Sequence, residues 1–305
     1  MRRVLVTGAG GFVGTHCLPL LLARGYEVHA VSSREPSHTS PRDVTWHSAN
    51  LLDDRQVEKL LTNTSPSHLL HLAWYSTPSR FWSATENLEW VRASIALMQR
   101  FVGAQGRRLV AAGSSAEYDW RYGYCSEAIT PLASATLYGA CKNAVRAILD
   151  GFSHATKLSA AWARLFFLYG PHEHPQRLVA SVARSIMAGT PAACTHGRQI
   201  RDFLFVADVA DALVTILDSS LTGPVNVASG KPLAVHDVVT SIASKLGRPE
   251  LPQFGAVELS ASEPPLLVAD VTRLSRELGW APKYTLDAGL DQTIEWWRER
   301  LQGSA

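Results

Sequence analysis

Val4-Leu5-Val6-Thr7-Gly8-Ala9-Gly10-Gly11-Phe12-Val13-Gly14 runs from a short apolar stretch into a glycine-rich turn, and a helical pattern follows over 15–24. Strand, closely spaced glycines and helix in that order form the phosphate-binding turn of a βαβ unit. Glycine permits the tight turn, lets the backbone approach a pyrophosphate and lets the helix pack closely on the strand. The exposed N–H groups and the helix dipole then hold the negative charge. Gly8, Gly10, Gly11, Phe12, Val13 and Gly14 are therefore expected to seat a dinucleotide. The apolar run ends at Thr7, too early for a signal peptide.

Outward from this turn, β-type runs at 4–6, 27–31, 69–72, 108–112 and 159–165 alternate with helical stretches, the longest of them at 94–102 and 138–152. Parallel strands need helical crossovers, so the rhythm predicts an α/β fold: a Rossmann doubly wound parallel sheet. After Gly170-Pro171 the pattern becomes irregular, with loops at 172–176 and 189–202, a strand-like piece at 225–228 and short helices at 235–246, 272–278 and 286–301. This predicts a nucleotide-binding domain over 1–168 and a smaller C-terminal, mainly substrate-binding domain over 169–305, parts of 200–245 returning to the first. The two long helices carry apolar residues on more than one face, which suits a homodimer.

With 305 residues, 46% hydrophobic and 18% charged, the chain has ample material for a core. A net charge of +2 without a basic stripe gives no footprint for nucleic acid. No apolar run approaches the roughly 20 residues of a membrane span. Cys17, Cys125, Cys141 and Cys194 are far apart and form no CxxC pair, so reduced thiols in a cytoplasmic setting are expected. His172-Glu173-His174 lacks a third donor at metal-ligand spacing, and no metal is expected.

Cofactor choice is read at the end of the second strand, Ser32-Ser33-Arg34. No acid stands there to take ribose hydroxyls, and a guanidinium fork suits a 2′-phosphate, so NADP(H) is favoured over NAD(H). Asn50, Leu51, Leu72, Ala73 and Trp74, beyond later strand ends, are expected to line the rest of the cofactor. Tyr138 and Lys142 stand four apart in Tyr138-Gly139-Ala140-Cys141-Lys142 and share one helix face. An ammonium beside a phenol is expected to bring its pKa down toward the working range of an acid–base catalyst. Ser114, in Gly113-Ser114-Ser115-Ala116-Glu117-Tyr118 at a strand end, is placed to hydrogen-bond a reacting oxygen.

At these residues the sequence resembles the extended short-chain dehydrogenase/reductase family, in its nucleotide-sugar epimerase, dehydratase and ketoreductase branch. The resemblance extends through His71-Leu72-Ala73, Arg164 to Tyr169-Gly170-Pro171, Arg201-Asp202-Phe203 and Leu278-Gly279-Trp280 with Pro282. It implies hydride exchange between nicotinamide and a sugar carbon, with Tyr138 passing the hydroxyl proton, Lys142 tuning it and holding ribose, and Ser114 orienting the substrate. It implies that Asn87 supports the proton relay and that Arg201 clamps a diphosphate.

Departures narrow the reaction. Ser115 and Ala116 stand where sugar 4,6-dehydratases carry Asp-Glu, which disfavours dehydration. Glu117 is displaced by one residue, which turns it elsewhere. Phe167 replaces an Asn that meets the diphosphate, and the second arginine expected near Glu263-Pro264-Pro265 is absent. Ser115, Tyr75, Phe167, Arg177 and Arg201 are the candidate substrate contacts, with Arg198 or His196 as further compensating groups. The aromatic run Trp74 to Trp82 is a candidate pocket wall. The leading reading is NADPH-dependent reduction of a nucleotide-linked 4-keto sugar; epimerisation is the alternative, and a non-catalytic dinucleotide sensor or scaffold the reading from another class.

Overall fold

A computed structural model describes residues 2–33, 41–260 and 262–302. Its strands are β1 (Arg2–Thr7), β2 (Tyr26–Ser32), β3 (Val44–Ser48), β4 (His68–His71), β5 (Arg108–Ser114), β6 (Tyr124–Cys125) and β7 (Ser159–Leu165), followed by β8 (Phe167–Tyr169), β9 (Ala192–Cys194), β10 (Ile200–Phe205), β11 (Gly223–Val227), β12 (Pro232–Ala234), β13 (Pro252–Phe254) and β14 (Leu266–Ala269). The α-helices are α1 (Gly14–Ala23), α2 (Asp54–Thr64), α3 (Glu86–Gly103), α4 (Leu137–Thr156), α5 (Leu178–Met187), α6 (Val206–Asp218), α7 (Val235–Lys245) and α8 (Leu286–Gln302).

Seven strands form one sheet in the order β11-β7-β5-β4-β1-β2-β3. Every neighbouring pair is parallel. The alternation of side chains along each strand feeds two apolar layers. Val4, Val6, Val28, Ala30 and Val110 meet α1 and α6 on one face. Leu5, Leu69, Leu109, Ala111 and Trp162 meet α2, α3 and α4 on the other. The sheet is thus covered on both sides, as the sequence predicts for a doubly wound fold.

A second sheet has the order β12-β10-β14-β6, with β8 also paired to β10. Near it, α5, α7 and α8 enclose a separate apolar cluster around Val182, Val238 and Leu290. The chain crosses between the two sheets repeatedly: β6 pairs with β14, whereas β11 pairs with β7. Two sequence expectations need correction. The region 189–202 is not a loop, since β9 and the start of β10 lie in it, and α5 and α6 fill what was read as irregular chain. In α6, Val206, Val209, Ala210, Leu213, Val214 and Leu217 are all buried and stand at i, i+3, i+4, i+7, i+8 and i+11, the spacing of one apolar helix face turned to the sheet.

Candidate active site

Because the main sheet is parallel, segments that follow its strands emerge along one edge. The glycine turn follows β1, Ser32-Ser33 ends β2, Asn50-Leu51 follows β3, Leu72 to Trp74 follow β4, and Ser114 ends β5. Gly8 has φ +68, and a Cβ there would stand 2.8 Å from the Ala73 nitrogen. At Gly14 a Cβ would run into the Gly8 carbonyl. Gly10 and Gly11, by contrast, are exposed. The turn is thus compressed on its protein side and bare outward, the shape a pyrophosphate needs, so these residues fit a dinucleotide. Phe12 and Val13 pack against the C-terminal apolar cluster and anchor the turn from below. Asn50 is exposed and its carbonyl oxygen accepts the Leu52 N–H at 3.0 Å, while Leu51 is buried. Ser33 is exposed and Ser32 half-buried, and Arg34 lies outside the described residues.

Trp74 connects the turn to the catalytic candidates. Ala73 abuts Gly8, and the next ring, Trp74, stands 6.4 Å from Tyr138 and 3.7 Å from the Lys142 ammonium. Tyr138 and Lys142 open α4, where Thr136 accepts the Gly139 N–H at 3.1 Å. At Gly139 a Cβ would run into the Ala116 carbonyl, so glycine lets the helix press against the turn that carries Ser114. The Ser114 hydroxyl lies within hydrogen-bonding reach of the Tyr138 phenol. The structure therefore brings the three candidates together.

Their electrostatics differ from the sequence expectation. Burial pushes Tyr138 up to about 12, with Ser114 and Arg177 pulling the other way. Burial holds Lys142 down to about 7, opposed by Glu117. The Lys142 ammonium donates to the Ala112 carbonyl at 2.9 Å and sits 5.9 Å from the Tyr138 ring centre, so the phenol is not made acidic in this arrangement. Desolvation outweighs the attraction, because both groups are enclosed by aromatic side chains.

Glu117 lies fully buried beneath Ser114. Its carboxylate accepts from the Ser114 backbone N–H at 2.7 Å, the Trp162 indole at 2.8 Å and Arg164 at 2.7 Å. Arg164 also donates to the Tyr118 hydroxyl, which donates to Asn226 at 2.8 Å. Glu117 is thus a positioning group for the serine turn, which sequence reasoning placed away from substrate without finding this role. Ser115 is buried, its carbonyl taken by the Trp120 indole at 3.0 Å.

Asn87 holds the aromatic wall. It is wholly buried, accepts from the Trp74 indole at 2.8 Å and donates to the carbonyls of Phe81 and Ala84, so every polar atom of its side chain holds the aromatic segment. That segment does form a wall: Phe81 and Trp82 stand 5.0 and 5.9 Å from Tyr138, and Trp82 meets Trp120 edge-on. Tyr75, next to Trp74 in the same segment, is half-buried.

Phe167, Arg177 and Arg201 line a cavity of about 420 Å³ together with Glu173, Gln199 and Phe203. Arg201 is buried and paired with Glu263 from the segment before β14. Its guanidinium lies 5.3 Å from the Phe167 ring centre. Arg198 and His196 are not among the lining residues. An open depression of about 540 Å³ between α2 and α3, lined by Glu58, Leu61 and Arg100, is remote from these groups.

Residues 4–228 match the model of the family described as the NAD dependent epimerase/dehydratase family. The chain belongs to that family. Over 98% of its length, this epimerase/dehydratase-family member is 29% identical to the UDP-glucose 4-epimerase of Mycolicibacterium smegmatis, all of which is covered. It is 30% identical to MoeE5, solved in complex with UDP-glucuronic acid and NAD, with 98% of this chain and 99% of that one covered and a TM-score of 0.85. The UDP-glucose 4-epimerase of Thermotoga maritima shares the fold at a TM-score of 0.88 and 22% identity, covering 98% and 99% of the two chains.

Proposed function

We propose that this chain is a pyridine-nucleotide-dependent epimerase of a nucleotide-linked sugar. The observation that carries the reading is the meeting of Ser114, Tyr138 and Lys142 at the strand edge that also bears the glycine turn. Full-length similarity to UDP-glucose 4-epimerases and to an NAD-bound relative supports it. When bound, the dinucleotide supplies a hydride acceptor and donor. Tyr138 takes the proton of the reacting hydroxyl and returns it, Ser114 orients that oxygen, and Lys142, when charged, favours the transient phenolate. Residues beyond 169 supply the walls that hold the rest of the substrate.

An epimerase restores its own cofactor in each turnover. Incubating the purified protein with UDP-glucose, without added cofactor, is expected to yield the 4-epimer by NMR with no net change in nicotinamide absorbance. Stoichiometric NADPH consumption with a keto sugar, and no epimer, would overturn the reading.

A second reading, NADPH-dependent reduction of a 4-keto sugar, is favoured by Ser32-Ser33-Arg34, which offers no acid to ribose. Dissociation constants for NADPH and NADH discriminate, since a reductase of this kind binds NADPH more tightly.

A further inference from the structure

Glu173 stands on the wall of the 420 Å³ cavity and is 4% exposed. Backbone N–H groups of Ala180 and Gly170 hold its carboxyl, yet Oε2 has no partner among the described residues. A buried carboxylate oxygen without a donor has surrendered its water for nothing, whereas the neutral acid avoids most of that loss and gains an O–H donor. Burial accordingly pushes the group up to about 8, against Arg177.

The charges facing it are few. Arg177 precedes α5; Arg201 stands on β10, already shared with Glu263; the Cys194 thiol of β9 is pushed up by burial. His172 and His174 flank Glu173 in the chain, His172 packing on Trp296 and His16, and His174 accepting from the Gln176 N–H. No lysine lines the cavity among the described residues. A sugar-linked diphosphate presents only acceptor oxygens and two negative charges. Arg177 is one cation and Arg201 is already shared with Glu263, so an O–H donor on Glu173 would add to them without adding negative charge.

We propose that Glu173, as the neutral acid, donates a hydrogen bond to a diphosphate oxygen of the substrate in this cavity. This rests on the nucleotide-sugar reading above and adds a specificity residue to it. Binding is then linked to a proton on Glu173: the protonated form binds, and the ionised form repels the diphosphate. Affinity is therefore full below the pKa of the free protein and falls as pH rises through it.

Calorimetric titration of the full-length protein with UDP-glucose and with dTDP-glucose tests this from about pH 6.5 to about pH 9. Wild-type Kd is expected to hold at low pH and then climb toward about tenfold per pH unit above the transition. Glu173→Gln, which is neutral and keeps a donor, is expected to bind like wild type near neutrality and to lose the slope. A flat wild-type profile, or an unchanged slope in Glu173→Gln, overturns the proposal and leaves the epimerase reading standing. Failure of both sugar nucleotides to bind a protein that still takes a dinucleotide overturns both.

Discussion

The floor beneath Ser114 and the wall around Glu173 are both buried and both polar, yet they are finished differently. Under Ser114, each oxygen of Glu117 is occupied by backbone, indole or guanidinium. In the cavity, Glu173 Oε2 and Gln199 Oε1 have no partner among the described residues. The Glu117 carboxylate is saturated, although Arg164 Nη2 beside it has no partner among the described residues. The Glu173 carboxyl itself, by contrast, keeps an oxygen unpaired, at a cost that a donor or acceptor reaching it would remove. The carboxylate under Ser114 is therefore fixed within the protein, and the carboxyl in the cavity keeps an oxygen to offer.

The comparison breaks most sharply at Tyr138. Tyr138→Phe removes the group that handles the proton and leaves both polar regions intact. Turnover is expected to fall by roughly 10²–10⁴-fold, the usual contribution of a positioned acid–base group, with dinucleotide affinity unchanged by fluorescence titration. Unaltered turnover would mean the proton is carried by another group.

The floor is tested by Glu117→Ala, which strands Arg164 in the core. Removing one partner of a buried pair costs about 3–5 kcal/mol, and urea denaturation is expected to show a loss of that order. The cavity is expected to respond in the opposite sense, since Glu173→Gln sacrifices no internal pair. Near-equal stability changes at the two sites would erase the distinction. A smaller effect is expected at Asn87→Ala, which frees the Trp74 indole and two carbonyls. A cost of about 1–3 kcal/mol for a broken buried hydrogen-bond group should appear in denaturation, with a shift in tryptophan emission as the aromatic wall loosens.

A homodimer through α3 and α4 remains our proposal. The two helices pack side by side, and Leu88 and Ile148 stand exposed on them. Light scattering is expected to give twice the chain mass and, for Ile148→Glu, the chain mass alone.

Much of the catalytic floor could be read in the sequence because it depends on local spacing. Four residues separate Tyr138 from Lys142, and the glycine turn directly follows its strand. The short edge strand β3 was missed, its pattern Val-Thr-Trp-His-Ser offering few apolar residues to one face. The role of Glu117 was invisible for another reason: Trp162 and Arg164 arrive from 45 and 47 residues downstream, and no periodicity announces that meeting. The same holds for Arg201 and Glu263, 62 residues apart. The ammonium was expected to acidify Tyr138, and the reversal came from aromatic enclosure, a property of assembled surfaces.

Strand β11 has a bearing on how the molecule is made. It forms the last edge of the main sheet, yet it is encoded after β8, β9, β10 and α6, and its Asn226 hydrogen-bonds Tyr118, Cys125 and Asp270. A nascent chain of two hundred residues thus carries six of the seven strands with the outer edge of β7 bare. The sheet is complete only once Val227 has been made, and until then the bare edge of β7 is open to pairing with another chain.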